Sequence, residues 1–246
     1  MLRFAPLAVL ATLATPMVAQ DMTDAERTAF RAEVRAYLLD NPEVLMEAIG
    51  VLEDRQTADA QANDVALVAQ NADALFNSET SFVGGNPEGD FTVVEFLDYR
   101  CGYCKRAHPE VNALIGNDTN IRYIIKELPI LGEESLLASR YAIAVQLLAG
   151  DAVYNDVHNT LMEFQGSITD ASLARVSDAF GVDHAEITDK MDSAEVTAVI
   201  AENRDLANAM AITGTPSFVF EDQMVRGYVP LDQMEQIVSQ LRSRDG

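Results

Sequence analysis

At 246 residues, 48% hydrophobic and 23% charged, the chain has the composition of a folded globular protein, long enough for one large domain with an appendage. Its 39 acids against 17 lysines and arginines leave a net charge of -22, which repels phosphate backbones and argues against nucleic acid as a partner. Cys101 and Cys104 are its only cysteines, so no disulfide can staple distant segments together.

The first residues, MLRFAPLAVLATLATPMVAQ, read as a secretory signal. Arg3 and the amino terminus supply the positive start, Phe4 to Val18 is apolar and uncharged, and Ala19 closes a candidate cleavage site. The alternative is an uncleaved anchor, but the run holds Pro6 and Pro16 and falls short of the ~20 residues a membrane span needs. Residues 1–19 are therefore expected to be a signal peptide, and the mature protein to work in an oxidising, exported compartment.

Residues 22–76 are helical in pattern. Thr23 and Glu26 form a capping box, and Phe30, Val34 and Leu38 recur at four-residue spacing, which predicts one buried face. Asn41-Pro42 is expected to end that helix and open the next, with Asn41 as its N-cap and Pro42 at its first position. Leu45, Ile49 and Leu52 continue a stripe. From Glu53 to Asn71 the chain is rich in Ala, Asp and Gln, as in a solvated spacer or a partner-seeking helix.

Residues 77–90, with Gly84-Gly85, Pro87 and Gly89, read as a loop and a domain boundary. Phe91 to Leu97 is a buried strand by composition, and the run CGYCKRAHPEVNALI after it is helical. A second strand spans Asn120 to Leu128. Four helical pieces separated by Gly150, Gly166 and Gly181 fill about 133–210. TGTPSFVFED is a turn and strand, MVRGYV a hairpin partner, and Leu231 to Leu241 a closing helix. The order is that of an α/β thioredoxin fold with an inserted helical subdomain, preceded by an N-terminal helical segment.

A Cys-x-x-Cys at a helix start carries specific chemistry. Free N–H groups and the helix dipole favour an anion on the first sulfur, which becomes a nucleophilic thiolate; the second lies one turn on, placed to resolve a mixed disulfide. Cys101 is then the nucleophile and Cys104 the resolving thiol. Arg100, Lys105 and Arg106 are expected to lower the Cys101 pKa further. Tyr103 is expected to be exposed towards substrate, and Gly102-Tyr103 to tune the redox poise. A zinc site would need four ligands from the two cysteines and His108, His158 and His184, which are scattered in sequence. Covalent haem needs His after the second cysteine, where this chain has Lys105. An inert short-loop disulfide remains an alternative. No metal or cofactor is expected.

Two further features fit redox chemistry. A cis peptide at Thr215-Pro216 would bring backbone against the sulfurs and offer N–H and C=O groups to a substrate strand; a trans proline opening a strand is the other reading. Glu95, buried under the pair, could move protons for Cys104; an outward-facing strand residue is the other reading, and alternation does not decide.

The stretch FTVVEFLDYRCGYCKRAHPEV, then KELPILG and TGTPSFVF, resembles the DsbA-like thiol-disulfide oxidoreductases of the bacterial periplasm, over roughly residues 80–246. The resemblance implies a thioredoxin fold with a helical insertion, a cis bond at Pro216, and the roles above for Cys101 and Cys104, with Glu95 as the buried acid. It also implies periplasmic location, protein substrates with thiols or disulfides, and a membrane redox partner that resets the cysteines. The segment AERTAFRAEVRAYLLDNPEVLMEAIGVLE is similar to the N-terminal helices of ScsC-type proteins, which implies a homo-oligomer through residues 23–76. Typical DsbA oxidases carry Pro-His between the cysteines; Gly102-Tyr103 is more similar to the isomerases DsbC and DsbG, which leans the expectation to isomerase or reductase. The alternatives are copper(I) sequestration by the same soft thiolates and a chaperone-like scaffold with incidental redox activity.

Overall fold

Thr23 opens the first helix as its side chain dictates. Its N–H donates to Glu26 Oε2 at 2.8 Å while the Glu26 N–H donates to Thr23 Oγ1 at 3.3 Å, closing the expected capping box. The structure, a computed structural model, describes residues 21–245; the expected signal peptide lies outside them. Contacts divide the chain into two units between Gln56 and Thr57.

In the first unit, α1 (Asp24–Asp40) precedes α2 (Glu43–Gln70), within which the division falls. The Asn41 expectation is corrected. Asn41 caps α1 backwards, its N–H and its Nδ2 both donating to Tyr37 O at 2.8 and 2.9 Å. An amide side chain carries donors, and the open carbonyls at a helix end take them. The buried-face expectation is corrected too: α1 has no buried residue, with Phe30 59% and Val34 40% exposed, because two helices by themselves offer the stripe nothing to enclose it.

In the second unit, α3 (Ala72–Phe76) is followed by β1 (Phe82–Gly85), inside the stretch expected to be loop. β1 is four residues long and ends in two glycines, so it shows no strand pattern in sequence; pairing with β3 creates it. Gly85 has φ of +64°, and a Cβ there would stand 2.4 Å from Ile121 O, so only glycine fits. Then come β2 (Phe91–Leu97), α4 (Gly102–Asn117) and β3 (Ile121–Glu127). The insertion holds α5 (Glu133–Ala149), α6 (Asp151–Glu163), α7 (Asp170–Phe180), α8 (His184–Met191) and α9 (Ala194–Ala209). The chain closes with β4 (Ser217–Phe220), β5 (Gln223–Arg226) and α10 (Leu231–Asp245). Where four helical pieces were expected, α8 is a fifth. Asp183 starts it by accepting from Ala185 N at 2.9 Å and Glu186 N at 3.2 Å.

The sheet order is β1-β3-β2-β4-β5, with β2 and β3 parallel and the other pairs antiparallel. Val93, Leu97, Tyr123 and Ile125 point to the face packed by α4, α10 and the insertion. Val94, Phe96 and Ile124 point to the other face, with Val68, Leu75, Leu206 and Met210. Burial on both faces explains why β2 reads as a nearly continuous apolar run. Among the described residues no helix is long and apolar enough to cross a membrane.

Candidate active site

The turn from β2 to α4 is held by Asp98, fully buried. One carboxylate oxygen accepts from Arg100 N at 2.7 Å; the other accepts from Ile130 N at 2.8 Å and Leu131 N at 3.0 Å. Its backbone carbonyl accepts from Cys101 N at 3.0 Å. Cys101 is therefore delivered as the N-cap of α4, where its sulfur accepts the Cys104 N–H at 3.4 Å. Sequence reasoning gave Asp98 no role; an acid in the turn before a helix was the available signal.

On its other side the Cys101 thiol meets the carbonyl oxygen of Thr215 at 3.1 Å, and the Thr215-Pro216 peptide is cis. The structure thus brings together Cys101, Cys104, Thr215 and Pro216, although Pro216 lies far along the chain from Cys104. Cys104 is fully buried. Tyr103 is 62% exposed, with its ring 6.5 Å from that of Tyr228, and a Cβ on Gly102 would meet open space.

The two thiols are electrostatically unlike. A hydrogen bond from the Cys104 side chain, chiefly, brings Cys101 down to about 5; the N–H groups of Cys104 and Tyr103 assist, and burial opposes. Burial pushes Cys104 far up, helped by its bond to Cys101 and by the charge of Glu95. Hydrogen bonds, not the neighbouring cations, make the Cys101 anion. Arg100 pairs with Glu134 at 3.2 Å and donates to Gly166 O at 2.7 Å. Lys105 donates to three carbonyls at the end of α6, and Arg106 stacks 4.3 Å over the Tyr228 ring. The expectation that these charges act on the sulfur is corrected: long side chains reach the nearest open carbonyls, carboxylates and rings.

Glu95 is 2% exposed and faces the cysteines from β2. Burial raises it to about 7, with the charge of Cys101 adding and a hydrogen bond from Tyr123 opposing. Beside it on the same face, Glu127 accepts from Tyr99 at 2.7 Å, Tyr154 at 2.8 Å and Ser139 at 2.8 Å, and Tyr99 also meets His158 Nδ1 at 3.1 Å. Tyr123 and Glu127 received no role in the sequence reading, although Glu127 stands in the KELPILG stretch. Among the described residues no three His, Cys, Asp or Glu side chains gather as a metal site.

Residues 92–239, more than half of the chain, match the family described as DSBA-like thioredoxin domain. The chain belongs to the DSBA-like thioredoxin family. Residues 26–58 match a second description, Copper resistance protein ScsC N-terminal domain. Among solved structures, this DSBA-like chain is similar to a thioredoxin-like oxidoreductase from Silicibacter pomeroyi DSS-3, at 42% identity and TM-score 0.66, covering 70% of this chain and 97% of that one. It is also similar to ScsC of Proteus mirabilis in a transitional conformation, at 28% identity and TM-score 0.66, covering 91% of this chain and 100% of that one. A curated relative, Na(+)/H(+) antiporter NhaA 1 of Salinispora arenicola, is 28% identical over 169 residues, 66% of this chain. The chain spans 26% of that protein's length, about a quarter.

Proposed function

We propose that this DSBA-like chain is an exported, periplasmic protein thiol-disulfide oxidoreductase that works as an isomerase or reductase through Cys101 and Cys104. The observation that carries the reading is the contrast between the sulfurs: Cys101 caps a helix start, where its sulfur accepts the Cys104 N–H and its pKa is held down at about 5, while Cys104 is fully buried and pushed far up. The Cys101 thiolate attacks one sulfur of a substrate disulfide, and the other sulfur leaves as a thiolate. In isomerisation that leaving thiolate, or another in the substrate, attacks the mixed disulfide and frees Cys101. In reduction the Cys104 sulfur attacks Cys101 instead, giving a Cys101–Cys104 disulfide and a reduced substrate. Glu95 takes the proton Cys104 gives up, and Thr215 offers its backbone to the bound substrate strand. A membrane redox partner resets the pair.

The isomerase lean is supported by Gly102-Tyr103 between the cysteines and by the match of residues 26–58 to the ScsC N-terminal domain. Residues 23–76, through exposed apolar side chains such as Phe30, Met46 and Ile49, would join copies so that active sites face one another. Copper(I) sequestration gains no support, because the copper-resistance match at 26–58 contains neither cysteine.

Refolding of a disulfide-scrambled substrate tests the assignment. Recovery that disappears in Cys101→Ser supports isomerase action; oxidation of a reduced substrate with no rescue of a scrambled one would overturn the lean. The potential of the pair adds a second readout: a value near ~-120 mV marks an oxidant and one near ~-270 mV a reductant.

A further inference from the structure

Glu95 on β2 and Tyr123 on β3 face the cysteines from adjacent parallel strands. Both are buried, at 2% and 5% exposure. The Tyr123 hydroxyl donates to Oε2 of Glu95. The other oxygen, Oε1, is equally buried and has no hydrogen-bond partner among the described residues. A carboxyl group in an apolar core with one oxygen tied and the other bare has a single place to accept a proton without breaking a bond it already makes.

We propose that Tyr123 is a positioning residue that occupies one oxygen of Glu95 and so reserves Oε1 for the proton exchanged with Cys104. This rests on the dithiol reading of Cys101 and Cys104. In the resolving step the Cys104 S–H proton passes to Oε1, the Cys104 sulfur bonds to Cys101, and the Cys101–substrate bond breaks with the substrate sulfur leaving as a thiolate. Cys101 and Cys104 are oxidised and the substrate disulfide is reduced. In the reverse direction Oε1 returns the proton to Cys104.

The groups facing Glu95 agree with this division of labour. Cys101 and Cys104 face it from the start of α4 and feel its charge or impose theirs on it. From β3 come Tyr123 and, two alternate positions on past Ile125, Glu127, whose oxygens are taken by Tyr99, Tyr154 and Ser139. Tyr154 of α6 acts on Tyr123, and the β4 residue in register with Glu95 is the apolar Phe218. Burial and the charge of Glu95 hold the Tyr123 phenol well above its ordinary range, so it stays a donor and is not itself the base.

The test follows resolution of a mixed disulfide between Cys101 and glutathione, as a function of pH, in the full chain and in Tyr123→Phe, Glu95→Gln and the double variant. Loss of the phenol donor destabilises the carboxylate, so Tyr123→Phe is expected to move the midpoint up by about one pH unit and to slow resolution at pH 6 about tenfold. Glu95→Gln flattens the profile, and adding Tyr123→Phe to it changes the profile no further. An unmoved midpoint, or an equal effect of Tyr123→Phe with and without Glu95, overturns the inference. A carboxyl-carbon NMR titration of Glu95 in Tyr123→Phe reads the same shift directly. If Cys101 exchanges with glutathione disulfide no faster than a free thiol, the dithiol reading itself fails, independently of Tyr123.

Discussion

The ammonium of Lys105 lies 2.7 Å from the carbonyl oxygen of Phe164 and also reaches the carbonyls of Leu161 and Met162 at 3.1 and 3.2 Å. A cation from the first turn of α4, beside the reactive sulfur, thereby closes the open end of α6 in the insertion. Lys105→Met is expected to cost about 1–3 kcal/mol of stability in urea unfolding, because three carbonyls lose their donor. The ionisation midpoint of Cys101, followed at 240 nm, is expected to stay nearly fixed. A rise of roughly one pH unit would show that this charge acts on the sulfur after all.

The Cys101 thiolate should appear with a midpoint near 5, far below the ordinary 9.0. Its foremost cause is the Cys104 side chain, so Cys104→Ala is expected to raise the midpoint and Cys104→Ser, with a hydroxyl donor, to recover part of the fall. Alkylation rate against pH reads both. The sign for stability follows from a folded value lying below the unfolded one: ionisation of Cys101 by itself contributes stability that grows as pH rises from about 5 to about 9 and is lost as pH falls through that window. Cys101→Ala should lack that rise.

The buried acids act in the opposite direction. Burial raises Glu127, like Glu95, from 4.5 to about 7. The folded chain keeps protons that the unfolded chain has released, so these two groups lower stability as pH rises from about 4.5 to about 7. His158, held neutral by burial with its value down at about 3, adds a separate loss as pH falls below its ordinary 6.5. Glu127→Gln leaves an acceptor for Tyr99 and Tyr154 and cannot ionise. Its stability, measured in urea at pH 5 and pH 8, should fall less between the two than that of the parent chain. An equal fall in both would show that Glu127 does not titrate in this range.

Residues of the first unit carry a test of self-association. Phe30 is 59% exposed, Met46 68% and Ile49 47%, an apolar surface that costs free energy to keep in water. Phe30→Asp and Ile49→Asp are expected to lower the mass measured by light scattering to that of one chain and to remove rescue of scrambled substrates, with exchange at Cys101 kept. A parent chain that already runs as a single copy would refute the proposed oligomer.

Much of the fold was legible because its signals are local. β2 is a β-branched and aromatic run, Cys101 caps a helix, and Thr23 with Glu26 spells out a start signal. What was missed depends on partners far along the chain. β1 exists because β3 pairs with it, and its Gly84-Gly85 imitates a loop. Asn41 could cap forwards or backwards, and only the carbonyl of Tyr37 decides. For the site, nearness in sequence placed Arg100, Lys105 and Arg106 beside the sulfur, but their long side chains go elsewhere. Tyr123 and Glu127 sit on a strand buried on both faces, where no alternation marks which residues look at the cysteines.

The two outer strands of the sheet, β1 and β5, are only four residues each. One stops at Gly84-Gly85, and the other has Arg226 fastened to Asp64 at 2.7 and 2.8 Å. On the proposed function, half-folded clients could be annealed to the chain along any bare ribbon of backbone. Margins this short offer such a client almost no template for pairing.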